Sequence, residues 1–287
     1  MKTGILLEEL INIARIPKTD FAISMNMTPS GLSKILTGRR LPISKEKKIF
    51  SLQAAQYFAE EIYGESCYLK FKNIFPIIYD FASKHELEVL LSYAIEHALD
   101  KDFAEENNQN SDYPDREVSF LGKKTVLNVL CVTLSDYVLN NKEVSLEFYS
   151  ALPILNRVYY DILCRIKIIG ERKKEENVFN HFVYMPSFEE VYMGYDMNIL
   201  SAVVAVEKAV DFKLWEIEEN IQSPFLFLKG QFLMIFSIQL DGKTPLMTLI
   251  TNKGYLSIFF NSLMRQETKK SAIPKMKPLK QYKRTRR

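Results

Sequence analysis

Side chains able to do chemistry are sparse in this sequence and poorly spaced for catalysis. Its three histidines, His85, His97 and His181, do not combine with its three cysteines, Cys67, Cys131 and Cys164, at metal-ligand spacing. His85 and His97 read as partly exposed helix residues. An odd number of widely separated cysteines fits reduced, buried thiols rather than a disulfide frame or a zinc site. The adjacent carboxylates Glu189-Glu190 and Glu218-Glu219 point in different directions on a helix or strand, as a solvated face does. Gly122-Lys123-Lys124-Thr125 superficially suggests a phosphate loop, but Glu117 stands where the leading glycine belongs and Lys124 breaks the Lys-Ser/Thr pair, so it reads as a helix start. Neither Gly-x-Ser-x-Gly nor His-Glu-x-x-His occurs. No catalytic residue, metal ligand or cofactor is assigned, and the chain is not read as an enzyme.

The informative stretch runs from Ile16 to Pro42. A first short helix carries Phe21, Ala22 and Met25 on its inner side, and a second begins at Thr28 and turns Leu32, Ile35 and Leu36 inward at helical spacing. Ala22 and Leu32 are the expected packed pair. Asn26 suits the tight turn between them, because asparagine tolerates the left-handed conformation. Thr28 fits the N-cap and Pro29 the first helical position. A plain helical hairpin inside a larger core is the alternative for the same window.

Residues 5–42 resemble the DNA-binding domain of the Cro and phage-repressor (Xre-like) class of bacterial helix-turn-helix regulators, including the ending Thr37-Gly38-Arg39-Arg40-Leu41-Pro42. The resemblance implies that the helix from Thr28 to Leu36 enters the major groove of double-stranded DNA. Ser30, Ser33 and Lys34 then face the bases and nearby phosphates, and Thr28, Arg39 and Arg40 clamp the backbone. The sequence departs from the family where Pro29 and Gly31 replace side chains that usually reach the bases, and where Lys18 replaces a small amide or hydroxyl. With Gly31 bare, readout relies on fewer side chains and in part on DNA shape.

At 287 residues the chain is long enough for two domains, and its apolar and charged fractions are those of a soluble globular protein. It lacks a membrane-length apolar run and an apolar signal core, so a cytoplasmic location and no membrane partner are expected. The overall charge of +3 is unevenly spread: residues 1–48 carry +5 and residues 269–287 carry +9, which leaves −11 on residues 49–268. Only the termini favour phosphate; the body repels it.

The expected organisation is a mainly α N-terminal helix-turn-helix domain with a helical connector, followed by an α+β C-terminal domain. In residues 1–65, Ile5, Leu6, Glu9, Leu10 and Ile13 suggest a first amphipathic helix. Ser44 caps a long one with Ile49, Leu52, Ala55, Phe58, Ala59 and Ile62 on its inner stripe. Residues 66–104 read as helix from Leu69 to Phe81, interrupted at Pro76, and again from His85 to Leu99, serving as a connector or a dimerisation element. Residues 105–117, rich in turn formers, read as a linker.

In residues 118–268, Val126 to Leu139 and Leu146 to Ile169 read as helical. Val178 to Met185 reads as a buried strand, and Leu200 to Val210 as a helix that continues toward Ile221. Phe225 to Leu228, Phe232 to Leu240 and Leu246 to Thr251 suggest an antiparallel meander closed by a helix from Gly254 to Arg265. This late pattern is similar to the effector-sensing halves of bacterial one-component regulators. A small-molecule or peptide effector is conceivable, although the aromatic richness reads first as core.

The tail, residues 269–287, is expected to be disordered, with solubility, a grip on DNA phosphates, or an acidic partner surface or membrane as its alternative uses. The function expected from the whole is a homodimeric, sequence-specific transcriptional regulator. The alternative is an interaction protein or enzyme that uses a helix-turn-helix only for DNA targeting.

Overall fold

The computed structural model describes residues 1–106, 117–140, 146–152, 178–184, 211–217, 223–238, 245–267 and 272–273. Its contacts divide the chain into a helical unit, Met1–Asp115 with Gly122–Lys142, and an α+β unit, Arg116–Leu121 with Glu143–Arg287. This division differs from the expected boundary at 105–117 in one respect: the helix that begins at Lys123 belongs with the first unit. Residues 107–116 of the expected linker lie outside the described residues.

The helical unit contains α1 (Thr3–Ala14), α2 (Lys18–Ser24), α3 (Pro29–Leu36), α4 (Lys47–Ile62), α5 (Lys84–Glu106) and α6 (Lys123–Asn140). Helix α1 buries Leu6, Leu7, Leu10 and Ile11 together with Thr3 and Gly4, and leaves Ile5, expected on the inner stripe, exposed. In α4 the buried row is Phe50, Ala54, Ala55, Phe58, Ala59 and Ile62, whereas Ile49 and Leu52, expected inside, face out. Apolar residues on both sides of α4 let periodicity fit either row, and α4 packs extensively against α5. Ser44 starts a 3-10 turn, Ser44–Glu46, rather than capping the helix directly.

The expected helix from Leu69 to Phe81 is replaced by a 3-10 turn, Cys67–Phe71, and an irregular buried run through Ile74, Phe75, Ile77 and Ile78. Pro76 removes a donor and bars Phe75 from comfortable helical geometry. Helix α5 then starts cleanly: Ser83 Oγ accepts from the Glu86 N–H at 3.2 Å, and Glu86 Oε2 accepts from the Ala82 N–H at 3.0 Å.

A layer of paired charges ties these helices together. Lys47 of α4 reaches Glu96, at 3.3 Å, and Asp100 of α5. On α6, buried Asp136 receives Lys101 at 2.9 Å and the Met1 ammonium, with His97 Nε2 at 3.6 Å. Burial alone would raise the Asp136 carboxyl, but His97, the terminal ammonium and Lys101 together hold it well below the usual carboxylate range. His97 is thus drawn inward, unlike the half-exposed residue its helix position suggests. Cys67 and Cys131 are buried, and Cys164 lies outside the described residues.

The second unit is built on a mixed sheet in the order β1-β7-β6-β5-β2-β3-β4-β8. Its strands are β1 (Glu117–Leu121), β2 (Glu147–Ser150), β3 (Val178–Tyr184), β4 (Asp211–Ile217), β5 (Phe225–Leu228), β6 (Phe232–Ile238), β7 (Pro245–Ile250) and β8 (Ala272–Ile273). The meander β5-β6-β7 is antiparallel, and Gly230, at φ 73°, makes the Lys229-Gly230-Gln231 reversal. Strands β2, β3 and β4 run parallel to one another. Two of them fall where helix was expected: β2 in the Leu146 to Ile169 run and β4 in the extension toward Ile221. The remainder of those runs, 153–169 with 200–210 and 218–221, lies outside the described residues, as does most of the tail, although Ala272–Ile273 pairs with β4.

Helix α7 (Lys253–Glu267), capped by Asn252 Oδ1 on the Tyr255 N–H at 2.8 Å, covers one face of the sheet. There Leu256 and Leu263, with Phe259 and Phe260, meet Tyr149, Phe182, Phe225 and Phe227. On the opposite face, alternation places Phe148, Phe179 and Leu226 beside Ser150 and His181, all buried. Desolvation pushes the His181 imidazole down to about 3.

Candidate nucleic-acid interface

Helices α2 and α3 meet through a turn in which Asn26 adopts φ 53° and the Met27 N–H returns to the Ala22 carbonyl at 2.8 Å. Asparagine holds this left-handed position at lower cost than most side chains. Thr28 Oγ1 accepts the Gly31 N–H at 3.0 Å, and Pro29 follows in the first helical position. Phe21, Ala22, Met25, Leu32 and Ile35 all enter the helical core, and Leu36 packs at its margin. Phe21 lies with its ring centroid 4.6 Å from that of Phe58. One side of α3 is therefore committed to packing.

At its far end, Thr37 Oγ1 donates to the Ser33 carbonyl at 2.9 Å, Gly38 turns left-handed at φ 68°, and the Arg39 N–H reaches the Lys34 carbonyl at 2.8 Å. These bonds satisfy carbonyls that a helix end leaves open and fix where the chain carries Arg39 and Arg40.

Thr28, Ser30, Ser33, Lys34, Arg39 and Arg40 are all exposed. Helical spacing puts Ser30, Ser33 and Lys34 on the side of α3 away from Leu32 and Ile35. Thr28 uses its hydroxyl oxygen as the cap, and Arg40 lines a groove of about 330 Å³ with Met27, Gly31, Ile43 and Glu46. The six residues thus divide: three on one helix face, one at its start and two beyond its end. Among the described residues, Lys34, Arg39 and Arg40 form no ion pair. Lys18, by contrast, is held by Glu8 at 2.5 Å.

Two features of this region escaped the sequence reading. A Cβ on Gly4 would stand 2.2 Å from the Leu36 carbonyl oxygen and 2.9 Å from that of Ile35, so α1 and α3 touch backbone to backbone. The Thr3 N–H, at the start of the same helix, donates to Asp102 Oδ2 at 2.9 Å. A glycine inside an amphipathic helix was the available signal for the first, since it weakens a helix unless close approach requires it. The second had none, its partners standing 99 positions apart in the chain.

No family model matches the chain, and no curated protein matches it. Among solved structures it is similar to TrmBL2, an archaeal chromatin protein whose structure is described as showing a novel mode of DNA binding. The two share 12% identity at a TM-score of 0.33, over 60% of this chain and 59% of that one. The alignment spans less than two thirds of either protein. No helix among the described residues is long and apolar enough to cross a membrane.

Proposed function

We propose that the helical unit is a helix-turn-helix domain that binds double-stranded DNA, with α3 as the recognition helix of a homodimeric transcriptional regulator. The observation that carries this reading is the two-sided character of α3: one side locked into the core, the other presenting Ser30, Ser33 and Lys34 to solvent between a capped start and the Arg39-Arg40 exit. Hydroxyls and a cation on a rigid helix suit base edges and nearby phosphates, and the paired arginines suit the backbone. Because Pro29 and Gly31 add no long side chain, one copy gains little affinity, and two copies on half-sites about one helical turn apart would multiply it. The α+β unit is then the regulatory part, open to a small-molecule or peptide effector, and the basic tail adds phosphate contacts without choosing bases.

The test begins with selection of bound duplexes from a random pool by the full chain. Lys34→Ala should then weaken binding to the selected duplex by about 1–3 kcal/mol with the helical signal intact. Unchanged affinity would remove α3 from the interface, and failure to select any sequence would remove specific recognition altogether.

A further inference from the structure

The first turn of α1 is held from two directions. On one side Gly4 lies against the end of α3, where even a methyl group would collide with the Leu36 carbonyl, a backbone atom that cannot swing aside. On the other, the Thr3 N–H is one of the donors that a helix start leaves without an internal partner, and Asp102 of α5 supplies its acceptor. Lys2 adds a pair with Glu105 of α5 at 2.8 Å. Helix α5 is joined to α6 through Lys101 and Asp136. In the chain, α6 stands between β1 and β2, so both of its ends continue into strands of the sheet.

From this placement we propose that α1 is a coupling element for the DNA-binding face. Gly4 is a positioning residue that sets where the last turn of α3 lies, and Asp102 passes the position of the α5–α6 pair to α1. The inference rests on the DNA-binding reading of α3 and names its regulation. An event in the sheet unit that shifts α6 against α5 moves the carboxylate that holds Thr3; α1 follows, and α3 moves with it because no side chain cushions the contact. Such a route is a contiguous set of packed and hydrogen-bonded elements, and no residue of α1 needs to touch DNA.

The full chain carrying Gly4→Ala or Asp102→Ala is compared with the unaltered chain on a selected duplex and on a random one. Alanine at 102 removes the acceptor that holds the Thr3 N–H. A change that only reduces the folded fraction weakens apparent binding to both duplexes by the same factor. Displacement of α3 lowers the ratio between them. The ratio should fall roughly tenfold in Gly4→Ala and roughly threefold in Asp102→Ala. If Gly4→Ala fails to fold, Asp102→Ala decides alone. An unchanged ratio in folded Asp102→Ala overturns the coupling.

Should the unaltered chain select no duplex, it is the DNA-binding reading that fails. Hydrogen exchange at the Leu36 and Thr37 amides then judges the coupling without DNA: faster exchange in Asp102→Ala supports it, and identical exchange overturns it.

Discussion

Between the helices of the first unit charge is buried in pairs, with Asp136 gathering Lys101 and the Met1 ammonium and Asp100 holding Lys47, whereas the sheet of the second is filled by rings and carries the buried, neutral imidazole of His181. Ion pairs specify which groups must meet, and removing one partner strands the other. Aromatic packing is less directional, and its strength follows area removed from water. The helical unit is thus sensitive to single deletions of charge, and the sheet unit to protonation.

The largest expected effect tests the first half of that contrast. Asp136→Ala leaves Lys101, His97 and the Met1 ammonium without their common acceptor, and should cost the helical unit about 3 to 5 kcal/mol. Trp215, the sole tryptophan, lies in β4 and reports on the sheet, while circular dichroism follows chiefly the helices. The dichroic transition should move to lower denaturant with the Trp215 transition unmoved. Coincident shifts of both would show that the units unfold as one.

A smaller effect tests the second half. His181, ordinarily near 6.5, is pushed down to about 3 in the fold, so between those values the unfolded chain binds more protons than the folded one. Its contribution is complete above pH 6.5 and declines as pH falls toward 3, at about 1.4 kcal/mol per unit, or about 2 kcal/mol from pH 6.5 to 5. The depressed Asp136 carboxyl works below its ordinary value of 3.8 and is silent in that window. The Trp215 transition should weaken on acidification in the unaltered chain and lose most of that slope in His181→Leu. An equal slope in both would mean that some other group titrates.

The smallest effect sharpens the comparison at the start of α3. Thr28→Ala removes the cap on α3 and should destabilise the helical unit by about 1 kcal/mol, leaving the Trp215 transition unchanged. A loss below a few tenths would mean that the Gly31 N–H finds water as good a partner.

The same contrast explains what could be read in advance. Helices α2 and α3 and their turn were legible because Asn26, Thr28, Pro29 and the inward Leu32 and Ile35 act within one short window. The meander was legible from its turn residues. Strand β2 reads as helix because an apolar run buried on two faces loses the alternation that marks a strand, whereas β4, with Lys213 exposed, reads as the continuation of the helix expected from Leu200 to Val210. The inner faces of α1 and α4 were misjudged where large side chains outvoted small ones: Gly4 and Ala54 are inside, Ile5 and Ile49 outside. All six proposed contact residues lie at the surface, as such residues must, but Gly4 and Asp102 act on partners remote in sequence and left no local pattern.

The order in which the chain visits its two units has a consequence for how such a molecule can be built or rebuilt. It passes from α5 to β1, back to α6, and out again to β2, so three covalent crossings join the units. A single cut between 107 and 116 would strip the helical unit of α6, which would stay on the fragment that carries the sheet, between β1 and β2. Exchange of the sheet unit for another by end-to-end gene fusion is closed to this architecture. A graft must carry β1 and the whole sheet around an undisturbed α6, and a helical unit expressed alone must keep 123–140 through a designed bridge from α5.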